Sequence, residues 1–216
     1  MQRIKIIYQI CKRSKSSFLI VLIKYLYYKI IKKKNIAAHQ RACIKGVNNI
    51  TTIGLLKVGI DLPGFTHNSD LTYLKIEGKV KFSGDFSIGR GCRILVGKNA
   101  TARFGHGTYI NFFTNMVINH RIDIGENCAI SWYCQFLDDD FHHLGYENKV
   151  ETGANSIRIG DRVWIGANVC IYKGVTIPNG CVVAANSIVR RRFDEENVLI
   201  AGSPAKIIKR NITWNM

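Results

Sequence analysis

Residues 159–183 read IGDRVWIGANVCIYKGVTIPNGCVV, and every sixth position from Ile159 is aliphatic: Ile159, Ile165, Ile171, Ile177 and Val183. Val189 extends the series, and the companion positions are Val163, Val169, Val175 and Cys181. Upstream the same period runs through Ile76, Phe82, Ile88, Ile94, Ala100, His106, Phe112, Ile118, Ile124, Ile130 and Phe136, where only His106 is polar. Its companions are Val80, Phe86, Cys92, Lys98, Phe104, Ile110, Met116, Ile122, Cys128 and Cys134, with Lys98 the one exception. A helix repeats every 3.6 residues and a strand every two, so a sustained period of six belongs to neither alone. It describes short flat strands joined by turns, each aiming one aliphatic side chain into a narrow prism. About three such faces complete a coil of roughly 18 residues, and the inward side chains stack in ladders from coil to coil. The spacing predicts a mainly β, parallel β-helix.

Composition sets the bounds around that core. The chain has 216 residues, 47% of them hydrophobic, with 19 glycines and 3 prolines, which suits one globular domain with many tight turns. Its formal net charge is +16, and no Asp or Glu precedes Asp61 while Arg3, Lys5, Lys12, Arg13, Lys15, Lys24, Lys29, Lys32, Lys33, Lys34, Arg41, Lys45 and Lys57 do. The surplus is an N-terminal property, and no nucleic-acid-binding motif accompanies it, so no nucleic-acid partner is expected. Seven cysteines without a CxxC pair, four of them on the periodic series, read as buried thiols in a reducing compartment, the cytoplasm.

The N-terminal run at 18–31 (FLIVLIKYLYYKII) is too short to span a bilayer and is interrupted by Lys24 and Lys29. As a helix it has two readings: packing on its own domain or a neighbouring subunit, or resting on the anionic inner face of a membrane. Three segments follow: a basic, apolar helical segment over 1–45; a β-helix over 46–210 with an extruded loop at 137–156; and a tail at 211–216. Ser203-Pro204-Ala205-Lys206 introduces a basic, apolar stretch (KIIKR) that is expected to return as a short C-terminal helix capping the last coil.

The run from Ile159 to Arg210, with its VWIGANV and AGSPAK segments, resembles the C-terminal coils of the hexapeptide-repeat acyltransferases, among them galactoside and maltose acetyltransferases and sugar O-acetyltransferases of capsule and lipopolysaccharide synthesis. The likeness covers roughly Ile76 to Arg210. It implies a left-handed β-helix, acetyl-CoA as acyl donor, a glycan acceptor, no metal, and assembly as a homotrimer with sites between adjacent prisms. The resemblance carries the catalytic base onto His142 within DDDFHH and acceptor contacts onto Asn115 of NFFTN and Trp164, and Asp140 beside His142 is a further candidate for acceptor contact. Trp164 also lies beside the thioester. Ala167 and Ala185 line the pantetheine arm, while Arg190, Arg191, Lys206 and Lys209 meet the CoA phosphates. Two departures stand out: the galactoside enzymes carry a hydroxyl residue where this chain has Ala167, and the region from Asn115 to Gly125 is shorter.

The residues themselves suit that chemistry. An imidazole titrates near neutral pH and serves as general base for a hydroxyl acceptor. Asp139, Asp140 or a loop carbonyl would hold its other nitrogen, and a backbone amide would stabilise the tetrahedral oxyanion. No cysteine lies in the loop, so attack on the thioester is direct. His143 is the alternative base, while His106 and His120 read as structural or pocket residues. A zinc site of the γ-carbonic-anhydrase kind needs two histidines five residues apart, and none of the six here is so spaced. The main alternative activity is transfer to an amine, such as that of an amino-sugar nucleotide.

Overall fold

The computed structural model describes residues 2–61, 64–142, 145–146, 149–150 and 155–216. Three parallel sheets form the faces of a prism. The first face stacks Ile36–Ala38, Leu56–Val58, Phe86–Ile88, Tyr109–Ile110, Ala129–Ile130, Trp164–Ile165, Val182–Val183 and Leu199–Gly202. On the second face lie Ala42–Lys45, Thr72–Ile76, Arg93–Val96, Asn115–Ile118, Gln135–Leu137, Cys170–Tyr172 and Ile188–Val189. The third holds Ile50–Thr52, Lys79–Phe82, Thr101–Phe104, Arg121–Ile124, Ile157–Ile159 and Thr176–Ile177. The chain visits the faces in turn, the left-handed β-helix of hexapeptide repeats, and the periodic aliphatic residues fill a single core.

Coil length is not uniform. Ile165 pairs with Val183 and Ile171 with Val189, one coil of three hexapeptides apart, as the sequence period predicts. Upstream, Ile110 pairs with Ile88 on one side and Ile130 on the other, and both of those coils exceed three hexapeptides. The longer coils carry four-residue strands and a wider interior, filled by Phe82, Phe86 and Phe104 with ring centroids 4.9–5.1 Å apart. The extra corner residues explain the two breaks in the period. His106 and Lys98 are not buried, and Ala102 and Val96 take inward places instead. At one corner Gly46 (φ +77°) approaches the Ile76 carbonyl of the next coil so closely that a Cβ would collide with it.

Helix α1 (Gln2–Ser14) and helix α2 (Phe18–Leu26), which continues as a wider turn over Tyr27–Ile31, cover the N-terminal end. Ile7, Ile10, Cys11, Val21 and Tyr25 pack with Ala37, Leu55 and Ile60, and Tyr28 reaches the prism core. Lys24 Nζ donates to the carbonyls of His39, Gln40 and Ala42 at 2.9, 3.0 and 2.9 Å. Asp61 ties α1 to the coil, accepting from Arg13 and Lys57 at 2.7 Å each and from Ser87 at 3.2 Å. The coil thus starts at Ile36, ahead of the boundary at 46 read from the sequence. The long excursion before Thr72 masks the period there: Leu56 pairs back to Ile36 but reaches its next partner, Phe86, only after a much longer detour.

The C-terminal end also differs from expectation. Ala205–Lys209 is a strand rather than a short helix, and it runs antiparallel against Leu199–Gly202. Ala205 is buried and Ile207 packs on the core, the period-two alternation of a strand. This hairpin pairs the free edge of Leu199–Gly202 and becomes the end strand of the first face.

Candidate functional site

The loop read at 137–156 leaves the second face after Gln135–Leu137 and rejoins the third at Ile157–Ile159. Ile130 pairs with Ile165 and Phe136 with Ile171, so the stack resumes in register across the excursion. The loop's root is fixed by Asp138, fully buried, whose carboxylate accepts from the backbone N–H groups of Asn119, His120 and Arg121 at 2.7, 2.9 and 2.8 Å. Burial raises the Asp138 carboxyl above its ordinary range against the pull of those three amides. Asp139 accepts from the Phe141 N–H at 3.0 Å and from Asn119 Nδ2 at 3.2 Å, and faces His120 Nε2 at 3.5 Å. The Phe141 amide is the chief cause holding the Asp139 carboxyl below its usual range. His120 thereby joins the loop root, and Asn155 Nδ2 lies 3.1 Å from its Nε2.

Asp140 Oδ2 sits 2.6 Å from Lys173 Nζ. Together with Tyr172 and Arg190 these residues line an open, strongly polar cleft of about 550 Å³. The Arg190 guanidinium lies over the Tyr172 ring at 5.4 Å, and Arg191 over Phe193 at 5.0 Å. Each planar cation is thus held by a ring with its donors left for a further acceptor. His142 follows Asp140 by two positions on the loop and is exposed. His143 lies outside the described residues.

The other expected site residues divide between different parts of the prism. Ala167 and Ala185 stack at the opposite edge of the second face, with the Asn186 N–H donating to the Ala167 carbonyl at 2.9 Å. Trp164 lies on the first face, 42% exposed, its Nε1 donating to Ser131 Oγ at 3.3 Å and its ring 6.1 Å from that of Trp214. Lys206 and Lys209 are exposed on the terminal antiparallel strand. Asn115 is exposed on the second face, paired with Arg93 and Gln135. Within one chain, Asp140, Lys173 and Arg190 line one cleft, with His142 two residues beyond Asp140 on the loop, while Ala167 and Ala185 occupy another corner.

Two features escape the sequence reading. Tyr172 and Lys173 complete the cleft; Tyr172 precedes Arg190 by one local coil length, so their stacking is implicit in the period. The second feature is an aromatic corner beside Asn115. Phe112 stacks on Trp132 (5.6 Å, 12°) and Phe113 on Tyr133 (5.2 Å, 11°), and Phe65 packs edge-on against Phe112 at 4.3 Å. Phe113 and Tyr133 both have φ +58°, at corner positions that Gly91, Asn168 and Asn186 occupy in other coils. Left-handed backbone costs a bulky residue about 1–2 kcal/mol, a cost that Gly avoids and Asn lessens.

The prism also disposes of the thiols. Burial pushes Cys92 up to about 12 and Cys128 and Cys134 up to about 11, so none of the three supplies a thiolate nucleophile. No group of three or more His, Cys, Asp or Glu side chains suited to a metal ion occurs among the described residues.

Residues 156–191 match the family described as the hexapeptide repeat of succinyl-transferase. The chain is 36% identical over 215 residues to an uncharacterized 24.8 kDa protein in the cps region of Klebsiella pneumoniae, covering 99% of this chain and 96% of that one. It is 32% identical over 144 residues to the polysialic acid O-acetyltransferase of Escherichia coli O1:K1, covering 66% of this chain and 44% of that protein. The crystal structure of the polysialic acid O-acetyltransferase OatWY shares the fold, with a TM-score of 0.56 at 24% identity over 84% of this chain and 90% of that one. From the period-six core to the corner motifs and the full-length likeness, the chain belongs to the hexapeptide-repeat acyltransferase superfamily.

Proposed function

We propose that this chain is an acetyl-CoA-dependent O-acetyltransferase that esterifies a hydroxyl of a sugar or cell-envelope glycan. The observation that carries the reading is an exposed His142 on an extruded loop, two positions beyond Asp140 of the cleft lined by Arg190 and Lys173. Family membership supplies the reaction class. The likeness to a polysialic acid O-acetyltransferase and to a protein of a cps region supports a glycan acceptor.

In this mechanism a neutral His142 takes the proton of the acceptor hydroxyl as its oxygen attacks the thioester carbonyl. A C–O bond forms, the tetrahedral oxyanion collapses, the C–S bond breaks, and the imidazolium returns its proton to the CoA sulfur. Arg190 and Arg191 take the CoA phosphates as charge-assisted partners, with Lys206 and Lys209 at the terminal strand contributing further charge. Ala167 and Ala185 offer backbone groups to the pantetheine arm, and Trp164 offers an outward ring beside the thioester. Asn115 and the aromatic corner next to it present an amide and flat apolar rings, which suit the hydroxyls and C–H faces of a pyranose.

The split of these residues between two corners supports a site completed by a second copy, and a cyclic trimer of prisms provides that closure. Light scattering checks the assembly; a monomer at working concentration excludes a shared site. The activity is checked by CoA release from acetyl-CoA with neutral glycans and with amino sugars in parallel. Turnover confined to amino sugars would replace the hydroxyl acceptor with an amine.

A further inference from the structure

Lys24 and Lys29 interrupt the N-terminal apolar run in the sequence; in the structure Lys24 leaves its outward face, while Lys29 stays exposed. Lys24 turns inward to three coil carbonyls, and Lys29 Nζ bonds Asn35 Oδ1 at 2.6 Å. What α2 and the turn after it present outward is a stripe of Leu19, Ile20, Ile23, Leu26, Ile30 and Ile31, at 67, 43, 58, 39, 65 and 64% exposure. Their spacing follows the three-to-four-residue period of a single helix face, opposite the buried Val21, Tyr25 and Tyr28. Covering the N-terminal end of the coil therefore does not use this stripe.

The charge on the same segment says what covers it. Arg3, Lys5 and Lys12 are exposed on α1 and Lys33 just beyond α2, with no acidic residue before Asp61. An apolar helix face on a segment whose charges are all positive complements a surface that is apolar beneath and anionic at its edge. A second copy of the same segment would instead bring like charges together. No helix among the described residues is long and apolar enough to cross a membrane, so the segment would lie on the surface.

We propose that α1 and α2 form a docking surface for an anionic lipid bilayer, with the apolar stripe entering the headgroup boundary and the basic residues meeting acidic headgroups. This assignment is independent of the catalytic reading.

The test is flotation of the full chain with vesicles of phosphatidylcholine alone and of phosphatidylcholine with phosphatidylglycerol. The chain is expected to float with the anionic vesicles, less with the neutral ones, and less again as salt is raised. Ile23→Glu with Ile30→Glu should lower partitioning by at least about tenfold, since both changes place charge in the face that enters the lipid. Unchanged circular dichroism and melting would show that the fold is kept. Arg3→Gln, Lys5→Gln, Lys12→Gln and Lys33→Gln together should remove much of the anionic preference and spare binding to neutral vesicles. Failure of the wild-type chain to float with anionic vesicles overturns the proposal. So does a double glutamate variant that floats like the wild type, or one that splits an oligomer while the wild type ignores lipid.

Discussion

The molecule carries its positive charge in two regions built on opposite plans. At the C-terminal coils, Arg190, Arg191 and Lys173 stand at a prism corner where each cation has a local companion: Tyr172, Phe193 and Asp140 in turn. Ahead of Asp61, thirteen of the chain's 31 basic residues occur without one acidic residue. From Asp61 onward the remaining basic residues are nearly balanced by the chain's 15 acidic ones. Ordered cations held by rings and carboxylates define a discrete site, because their donors point in fixed directions. Unbalanced cations around an apolar helix face define a surface, because they act through their summed field. The net charge of +16 is therefore almost entirely that of the N-terminal region, and the C-terminal corner is marked by the placement of its cations rather than by an excess of them.

Substitutions can separate the two regions. The largest effect is expected from His142→Ala, which should lower acetyl transfer by roughly two to four orders of magnitude. Flotation with anionic vesicles and thermal melting should stay as in the wild-type chain. Equal transfer by both chains would move the general base elsewhere, with His143 the next residue to test.

The second effect is thermodynamic and belongs to the N-terminal region. His39 is buried beneath α2, and burial, then the charges of Arg90, Lys24 and Arg41, push its imidazole down from 6.5 to about 4. Between those two values the unfolded chain holds a proton that the folded one does not. Stability is thus fully present above about pH 6.5 and falls as the pH drops toward 4, by up to about 3 kcal/mol. Denaturant melts across that window measure the slope, and His39→Gln should flatten it. An equally steep slope in the variant would place the acid sensitivity elsewhere.

Arg190→Ala should raise the KM for acetyl-CoA about tenfold with a smaller change in kcat, as the loss of one charge-assisted phosphate contact. Vesicle binding should not respond. The smallest effect concerns the aromatic corner. Tyr133→Asn replaces a strained ring by the residue type found at Asn168 and Asn186, so stability should not fall by more than about 1 kcal/mol. The acceptor KM should rise several-fold, and an unchanged KM would make the corner a packing device only.

The C-terminal coils are legible because three hexapeptides per coil and one aliphatic residue per face leave a strict signature from Ile159 to Val189. The wider coils upstream are legible as a period but not in detail. Phe82, Phe86 and Phe104 enlarge the interior, and extra corner residues carry His106 and Lys98 out of the core. The tail KIIKR reads as helical in isolation, yet its two-residue alternation decides for a strand once an open sheet edge lies beside it. His142, Arg190 and Trp164 are marked by motif likeness. Tyr172 and Lys173 carry no such mark, because Tyr172 meets Arg190 only across one coil and Lys173 meets Asp140 only across the loop. The aromatic corner escapes for a related reason. Phe112 and Phe113 become neighbours of Trp132 and Tyr133 only in a coil longer than the regular period suggests.

The central claim is esterification of a glycan hydroxyl, and the product tests it most directly. The intact chain would be incubated with acetyl-CoA and a capsule-type glycan, and the recovered glycan examined by nuclear magnetic resonance before and after mild alkali. The expected result is an acetyl signal on a ring hydroxyl that disappears with alkali, formed in step with CoA release and lost with His142→Ala. CoA release with an alkali-stable amide on the glycan, or with no acetyl on the glycan at all, would contradict it.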